Sequence, residues 1–296
     1  ISGRRSYTDI LKSRLYKSIF DLYNDSAPTN NSNLPFQARV VQNQLQPSFY
    51  FYDLNAKLSY KPSEKDIISV SIYNGEDNLD SSRENQNTIL RGTEEERTII
   101  TDIEDLLNWG NLGSSVRWAR QWSDRFYTNI VGAYSNYFSQ RKRINNLNIQ
   151  LADSTITNKI GLLEDNNLKD YTLRIHNEFK INSKHSLEFG GQLTKNEVDY
   201  KYSINDTTTV VSQNDKGFLS TVYLQDKWDP IKNLSIIGGI RATHFDVSDD
   251  IFYEPRLSIS YQLNNQVELK GAWGKYYQFV NRIVREDVSQ GSRDFW

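Results

Sequence analysis

The residues best suited to chemistry in this sequence are its three histidines, His176, His185 and His244. Acid-base or metal chemistry requires such a residue to stand beside partners at a defined spacing. The sequence contains no HExxH, GxSxG or CxxC pattern, no glycine-rich phosphate loop and no cysteine. We therefore expect no catalytic, metal-binding or cofactor-binding residue, and we predict that the protein is not an enzyme.

The most acidic stretch, residues 92–110, offers no clear ligand set either. Its acidic residues lack the alternating spacing of a Ca²⁺-binding loop. Apolar residues recur there at helical spacing, namely Ile99, Ile100, Ile103, Leu106 and Leu107. This pattern predicts a short amphipathic helix inside a long loop.

Elsewhere, charged residues alternate with apolar ones, as in residues 169–181 and 253–263. Such alternation predicts β-strands. In the second segment the apolar side carries Tyr253, Leu257, Ile259, Tyr261 and Leu263. The polar side carries Glu254, Arg256, Ser258 and Gln262.

Ten such strands form five predicted hairpins, and residues 1–7 look like the end of an eleventh strand. The hairpins are 49–60 with 66–75, 112–122 with 126–139, 169–181 with 186–202, 217–228 with 233–247, and 253–263 with 266–279. Most of these strands are about twice as long as the roughly 5–6 residues usual in soluble sheets. They are long enough for a tilted membrane crossing, which takes about 9–11 residues.

Connections and aromatic residues favour the same architecture. Turns within hairpins are short, whereas most links between hairpins are long, which is typical of outer-membrane barrels. Aromatic residues cluster at both strand ends, as in the girdles of such barrels. Near the long links lie Tyr200, Tyr202, Phe218, Phe245, Phe252, Tyr253, Tyr276, Tyr277 and Phe279; near the short turns lie Trp122, Phe126, Tyr127 and Trp228.

Four return strands also carry a pair of small residues: Gly132-Ala133, Gly190-Gly191, Gly238-Gly239 and Gly271-Ala272. Glycine weakens a strand unless the chain bends or another group approaches closely. At these positions we expect the strands to curve, or something packed inside the barrel to come close.

Composition narrows the class further. Only 37% of the 296 residues are apolar although 12% are aromatic, and the net charge is −2. The charge argues against a nucleic-acid surface, and no apolar run is long enough for a transmembrane helix. The chain contains no Met, so we expect either an interior segment of a longer protein or a mature chain whose ends are not shown.

In a barrel wall, charged residues on strands belong to the wet interior, since lipid excludes them. The lumen-facing candidates are Arg174, His176, Glu178, Lys180, Glu188, Arg241, Arg256, Glu268 and Lys270.

The stretch "YEPRLSISYQLNNQVELKGAWGKYYQFVNRI" resembles the late barrel of TonB-dependent outer-membrane receptors, in the form common in Bacteroidetes. "SGRRSYTDIL" resembles a strand end in mid-barrel, and "VYLQDKWDPIKNLSIIGGIR" is similar to the family's usual hairpin. The resemblance implies a 22-stranded barrel with an N-terminal plug, which imports a scarce solute across the bacterial outer membrane using TonB.

We therefore predict an all-β, antiparallel transmembrane barrel segment, with residues 1–296 forming part of the barrel and the plug absent. Expected partners are outer-membrane lipid, the TonB complex through the plug, and a small solute or oligomeric nutrient. A surface lipoprotein is a further candidate partner. One alternative is a passive porin or a secretion-associated barrel. A second is a soluble β-rich adhesin or glycan-binding module.

Overall fold

Every regular element of the chain is a β-strand in the computed structural model, which describes residues 1–7, 41–42, 48–89, 97–205, 208–281, 283–287 and 291–295. The strands are β1 (Ser2–Arg5), β2 (Val41–Gln42), β3 (Ser48–Ser63), β4 (Asp66–Asp80), β5 (Arg83–Ile89), β6 (Arg97–Ser123), β7 (Phe126–Gln150), β8 (Thr155–Lys180), β9 (His185–Ile204), β10 (Thr208–Ile231), β11 (Leu234–Phe245), β12 (Asp250–Gln262), β13 (Glu268–Gly274), β14 (Ile283–Asp287) and β15 (Gly291–Phe295). Within these ranges no helix is long and apolar enough to cross a membrane.

One antiparallel sheet contains thirteen of these strands. Its main path runs β1-β3-β4-β6-β7-β8-β9-β10-β11-β12-β13, and β5 pairs with both β6 and β2. Strands β14 and β15 pair separately. The eleven strands of the main path correspond to the five predicted hairpins and the additional strand at the start. The predicted fold class is therefore confirmed.

Asparagine side chains shape the short turns at one end of the sheet. The Asn182 Oδ1 atom accepts hydrogen bonds from the backbone N–H groups of Lys184 at 2.8 Å and His185 at 3.0 Å. Asn264 does the same for Gln266 and Val267, both at 2.9 Å. Such side-chain bonds replace ladder bonds where the chain reverses, so these turns follow directly from the sequence.

At the other end of the sheet, the predicted long links are mostly strand. The link over residues 140–168 is taken up by β7 and β8, which are joined across residues 151–154. The link over residues 203–216 is taken up by β9 and β10. Polar side chains do not interrupt a ladder, because its bonds join backbone groups. The two ends of the sheet therefore differ because the strands continue as paired strands at the end where long loops were predicted.

The predicted helix over residues 92–110 is wrong for the described residues 97–110, which belong to β6. Ile99, Ile103 and Leu107 are four residues apart, and this spacing suits one side of a strand as well as one side of a helix. Pairing with β5 and β7 along this stretch decides for the strand. Residues 92–96 lie outside the described residues.

The sheet has an apolar face that is open to its surroundings. Val116, Leu173, Val222 and Leu257 are representative, with 55%, 46%, 64% and 42% of their surface exposed. Others on this face are Leu54, Leu58, Tyr60, Ile68, Val70, Ile72, Leu112, Ile175, Phe179, Leu193, Leu224, Trp228, Ile240, Ile259, Tyr261, Leu269 and Trp273. A soluble sheet buries such a face, and this sheet leaves it uncovered. We call the opposite side the polar face.

On β7 to β10 the apolar face ends at one row of cross-strand neighbours, which we call the boundary row: Tyr134, Tyr171, Lys195 and Phe218. From this row to the aromatic residues near the short turns, β7 (126–134) and β8 (171–179) count nine residues and β10 (218–228) counts eleven. This length matches the roughly 9–11 residues of a membrane-crossing strand.

Beyond the boundary row the alternation inverts. On β8, the side that continues the apolar face carries Lys169, Asn167 and Asp165, and the side that continues the polar face carries Leu168 and Leu162. On β9 the same inversion buries Val198, Tyr200 and Tyr202. At about 3.3 Å per residue, the part of β7 beyond this row extends about 50 Å. Its outer side carries polar side chains apart from Phe138 and Ile144.

Candidate functional site: the polar face of the sheet

All nine lumen-facing candidates lie on one face of the sheet. Directly paired residues in an antiparallel sheet share a face, and the register links these side chains from strand to strand. Arg174 pairs with Gln192, Tyr223 with Arg241, and Arg241 with Glu254. The face carries Arg174, His176, Glu178 and Lys180 on β8, Glu188 on β9, Arg241 on β11, Arg256 on β12, and Glu268 and Lys270 on β13. That this face lines a lumen stays a prediction.

Tyr223 on β10 lies at the centre of the charged part of this face. The His176 Nδ1 atom is 2.5 Å from the Tyr223 hydroxyl oxygen, and the two rings are stacked with centroids 6.1 Å apart. The His176 Nε2 atom is 3.1 Å from Glu178 Oε1. These contacts fix the position of the His176 ring on the polar face. The sequence did not single out Tyr223, because its partner His176 lies two strands away.

Gly190 makes room for this contact. A Cβ atom at Gly190 would lie 2.1 Å from the Ile175 carbonyl oxygen and 2.8 Å from the Tyr223 hydroxyl oxygen. Gly239 is equally confined, with Gln225 Cβ at 2.4 Å. Another group therefore approaches closely at these two positions, but it belongs to a neighbouring strand; an approach by something packed inside the barrel stays a prediction. Gly132 and Gly271 lie on the apolar face with nothing within 4 Å.

Glu254 is a buried acid on this face, with 5% of its surface exposed. Its Oε2 atom lies 3.2 Å from Arg241 Nε, and its Oε1 atom accepts a hydrogen bond from the Tyr277 backbone N–H at 3.1 Å. The predicted strand 266–279 ends at Gly274, because the chain turns in towards Glu254 at this point. The Lys275 backbone N–H also bonds to the Pro255 carbonyl at 3.0 Å.

Part of the predicted outer aromatic girdle lies on the polar face instead. Phe252 has its ring centroid 4.9 Å from Tyr277 and 5.1 Å from Phe279, and Phe245 is 5.3 Å from Phe279. Tyr200 and Tyr202 are on the same side of the sheet, as is Tyr127 near the short turns. Closeness to a strand end does not determine a residue's face, because only its position in the alternation does. Phe218, Tyr253, Trp122, Phe126 and Trp228 do lie on the apolar face.

The part of the polar face on β3 to β7 carries smaller side chains. Ser59 and Ser69 hydrogen-bond to each other at 3.0 Å, and Ala133 lies on the same face. Lys57 and Arg117 are charged residues there. Arg117 donates to Asn129 Oδ1 and to the Tyr127 hydroxyl, both at 2.8 Å.

The two remaining histidines make local polar contacts. His185 Nδ1 lies 2.6 Å from Asp226 Oδ2, and its ring stacks on Trp228. His244 Nε2 lies 3.0 Å from Asp249 Oδ1. No group of three or more His, Asp or Glu side chains able to hold a metal ion occurs in the part of the chain that the structure describes.

A family model described as TonB dependent receptor-like, beta-barrel, matches residues 20–282. The match covers most of the chain and agrees with the antiparallel sheet described above. This chain belongs to the TonB-dependent receptor β-barrel family. Proteins of this family lie in the bacterial outer membrane, so this receptor chain is an outer-membrane protein.

Several solved structures are similar to this receptor chain. The toluene transporter TbuX of Ralstonia pickettii is 10% identical, with a TM-score of 0.40 over 81% of this chain and 67% of TbuX. The outer membrane transporter YddB from Escherichia coli is 9% identical, with a TM-score of 0.46 over 78% of this chain and 38% of YddB. The ferric enterobactin receptor PfeA from Pseudomonas aeruginosa is 11% identical, with a TM-score of 0.36 over 81% of this chain and 41% of PfeA. The receptor chain thus spans well under half the length of YddB and PfeA. No curated protein sequence matches it.

Proposed function

We propose that this chain is part of the wall of a receptor that imports a scarce solute by TonB-energised transport. The observation that carries the proposal is the pairing of two faces on one sheet. One side of the sheet is an exposed apolar face about as tall as the hydrocarbon core of a bilayer, and the opposite side is a polar face that carries charge pairs. In this proposal the apolar face contacts lipid, and the polar face lines the path that the solute takes.

The polar face would act by hydration and orientation, without covalent chemistry. Some of its charges are partnered within the wall, as in the Arg241–Glu254 pair and the contact of Gln225 Nε2 with Glu188 Oε2 at 2.9 Å. Partnered charges keep water in a channel without trapping an ionic solute tightly. These contacts support the proposed transport.

We also propose that residues 1–296 form one part of a larger barrel, with a plug domain encoded elsewhere. Among the described strands, β1 and β13 each pair with one neighbour in the main path. An unpaired strand edge is not tolerated in lipid, so further pairing must complete the wall. The plug would carry the contact to TonB, and a surface lipoprotein is a candidate partner at the outer rim.

Solute uptake by the intact receptor in cells with and without TonB tests this function. We expect accumulation of the solute to require TonB and to fall to background when the proton gradient is collapsed. Equal uptake without TonB would instead support the passive porin. A receptor that stays in the aqueous phase without detergent would support the soluble adhesin, although the uncovered apolar face argues against this.

A further inference from the structure

Three lysines surround one carboxylate just beyond the apolar face. Lys195 belongs to the boundary row and follows Leu193 in the apolar alternation. Its ammonium group points away from the apolar residues, since Nζ lies 2.6 Å from Glu197 Oε1. Nζ is also 5.9 Å from the centroid of the Tyr171 ring. A lysine at the edge of an apolar band extends its charge towards the polar side in this way.

Lys169 and Lys216 complete the group. They are the direct cross-strand partners of Glu197 on β8 and β10. The hydrogen bond from Lys195, followed by the charges of Lys195, Lys216 and Lys169, lowers the pKa of the Glu197 carboxyl below its ordinary value. Glu197 thus bonds to Lys195 and is flanked across the sheet by Lys169 and Lys216. The cluster of three lysines and one glutamate retains a net positive charge.

The position of the lysine cluster on the sheet indicates what the cluster contacts. Lys169, Glu197 and Lys216 form the next row outward from the boundary row, which we call the cluster row. On the other side of β8 this row carries the uncharged residues Asn136 on β7 and Leu112 on β6. The positive charge is therefore confined to β8, β9 and β10, on the outer side of the sheet. If the apolar face contacts lipid, as proposed above, this row lies at the depth of the lipid head groups.

We propose that Lys169, Lys195 and Lys216 bind the phosphate group of an anionic lipid in the outer leaflet. Lys169 and Lys216 each pair directly with Glu197, at the spacing of about 4.5–5.5 Å usual for such pairs. Lys195 lies two residues before Glu197 on β9, so the long side chains of all three lysines can reach one phosphate. Lysine binds phosphate as a compact charge, and basic residues beside a membrane attract anionic head groups. The inference extends the proposed lipid orientation and does not depend on TonB or on the solute.

The test compares two triple variants of the intact receptor extracted from outer membranes in mild detergent. The target variant is K169Q/K195Q/K216Q. The control, K142Q/K159Q/K201Q, removes the same charge from the same side of the sheet, at about 13–33 Å beyond the cluster row by strand rise. Native mass spectrometry counts the phosphorylated lipid retained on each protein, and heat-dependent gel mobility confirms that each is folded.

We expect the wild-type protein and the control to retain phosphorylated lipid, and the target variant to retain at least tenfold less. K169R/K195R/K216R keeps the charge and should retain the lipid. If the target variant fails to assemble, K169Q/K216Q keeps the Lys195–Glu197 pair and should still lower retention severalfold.

Equal retention by the wild type and the target variant overturns the proposal, as does equal loss from the control. Displacement of the lipid by millimolar inorganic phosphate would show a site for free phosphate and would also contradict it. TonB-dependent uptake is measured on the same variants and should be unchanged. If the proposed transport function is wrong, the wild type itself will show no TonB-dependent uptake. If only the lipid proposal is wrong, uptake will be normal and lipid retention will not differ between the variants.

Discussion

At the scale of single residues, the polar face depends on glycine where a neighbouring side chain crosses the strand. Gly190 lies between β8 and β10, directly opposite both His176 and Tyr223. The Tyr223 ring can reach His176 only because no Cβ stands between them. The polarity of this face is therefore held in place by a residue with no side chain of its own.

Replacing Gly190 with alanine should destabilise the wall. The new Cβ would meet the Ile175 carbonyl oxygen at 2.1 Å, and backbone must move to relieve the contact. Overpacking of this kind costs about 1–3 kcal/mol. The measurement is the temperature at which the receptor loses its heat-modifiable form on gels. Gly132→Ala is the matched control, since nothing lies within 4 Å there, and a similar loss in both variants would contradict the explanation.

Asp66, the first residue of β4 beside a short turn, should make stability depend on pH. The Ser63 hydroxyl donates to Asp66 Oδ2 at 2.6 Å, Trp118 Nε1 donates to Oδ1 at 3.0 Å, and Arg120 Nη1 lies 3.2 Å from Oδ2. These contacts, that of Ser63 first, lower the pKa of Asp66. Ionised Asp66 therefore stabilises the fold above the ordinary aspartate range, near pH 4. This contribution is lost as the pH falls through the lowered pKa.

Asp66→Asn should accordingly be less stable than the wild type near neutral pH, and the difference should shrink progressively as the pH falls below about 4. Chemical denaturation of the receptor between pH 3 and 7 measures this difference. Asp124→Asn, in an exposed turn at the same end of the sheet, serves as the control. A difference that persists unchanged at low pH would show that charge is not the cause.

At the scale of the elements, the apolar residues of a strand move from one side of the sheet to the other while the strand continues straight. On β8, apolar residues occupy one side from Tyr171 to Phe179 and the other side from Ile156 to Leu168. The ladder with β7 continues through this change without a bulge. A strand can therefore pass from a lipid-facing pattern to a water-facing one by shifting its apolar residues a single position.

A lysine on the apolar face of β12 should block assembly, whereas a lysine beside it should not. Leu257 lies midway between Tyr253 and Tyr261 on the exposed apolar face, and Ser258 lies on the polar face. A charge in mid-bilayer on the lipid side costs about 2–4 kcal/mol. We expect Leu257→Lys to reduce the amount of folded receptor in outer membranes several-fold. Ser258→Lys should assemble normally, and the opposite result would reverse the two faces.

At the scale of the whole molecule, the chain has two apolar surfaces with different roles. The larger one is exposed and lies between the aromatic rows. The smaller one lies beyond the boundary row on the opposite side, where Trp109 stacks on Phe49 at 6.3 Å and Ile103 is buried. We expect only the first to contact lipid.

Quenching of tryptophan fluorescence by brominated lipids can separate these surfaces. In receptors that keep a single tryptophan, we expect strong quenching at Trp228, which is 42% exposed on the apolar face. Weak quenching is expected at Trp109, because it lies beyond the boundary row on the other side. Comparable quenching at both positions would rule out the proposed orientation of the sheet in the membrane.

The amino-acid sequence by itself determined the strands, the hairpins and the shared face of the nine charged candidates. A period of two is a local property, and short turns built on residues such as Asn182 and Asn264 leave little freedom in register. Residues 97–110 were predicted incorrectly, because apolar residues four positions apart fit one side of a helix and one side of a strand equally well. Their strand partners, β5 and β7, are not encoded within the segment itself.

Only the tertiary structure decided which side chains meet across strands. It brought Tyr223 to His176, turned residues 275–281 in towards Glu254, and placed Lys169 and Lys216 on either side of Glu197. These residues are many positions apart in the sequence, and their contacts depend on the register of several ladders at once. Alternation along one strand determines a residue's face, whereas its neighbours on that face are determined by the strands beside it.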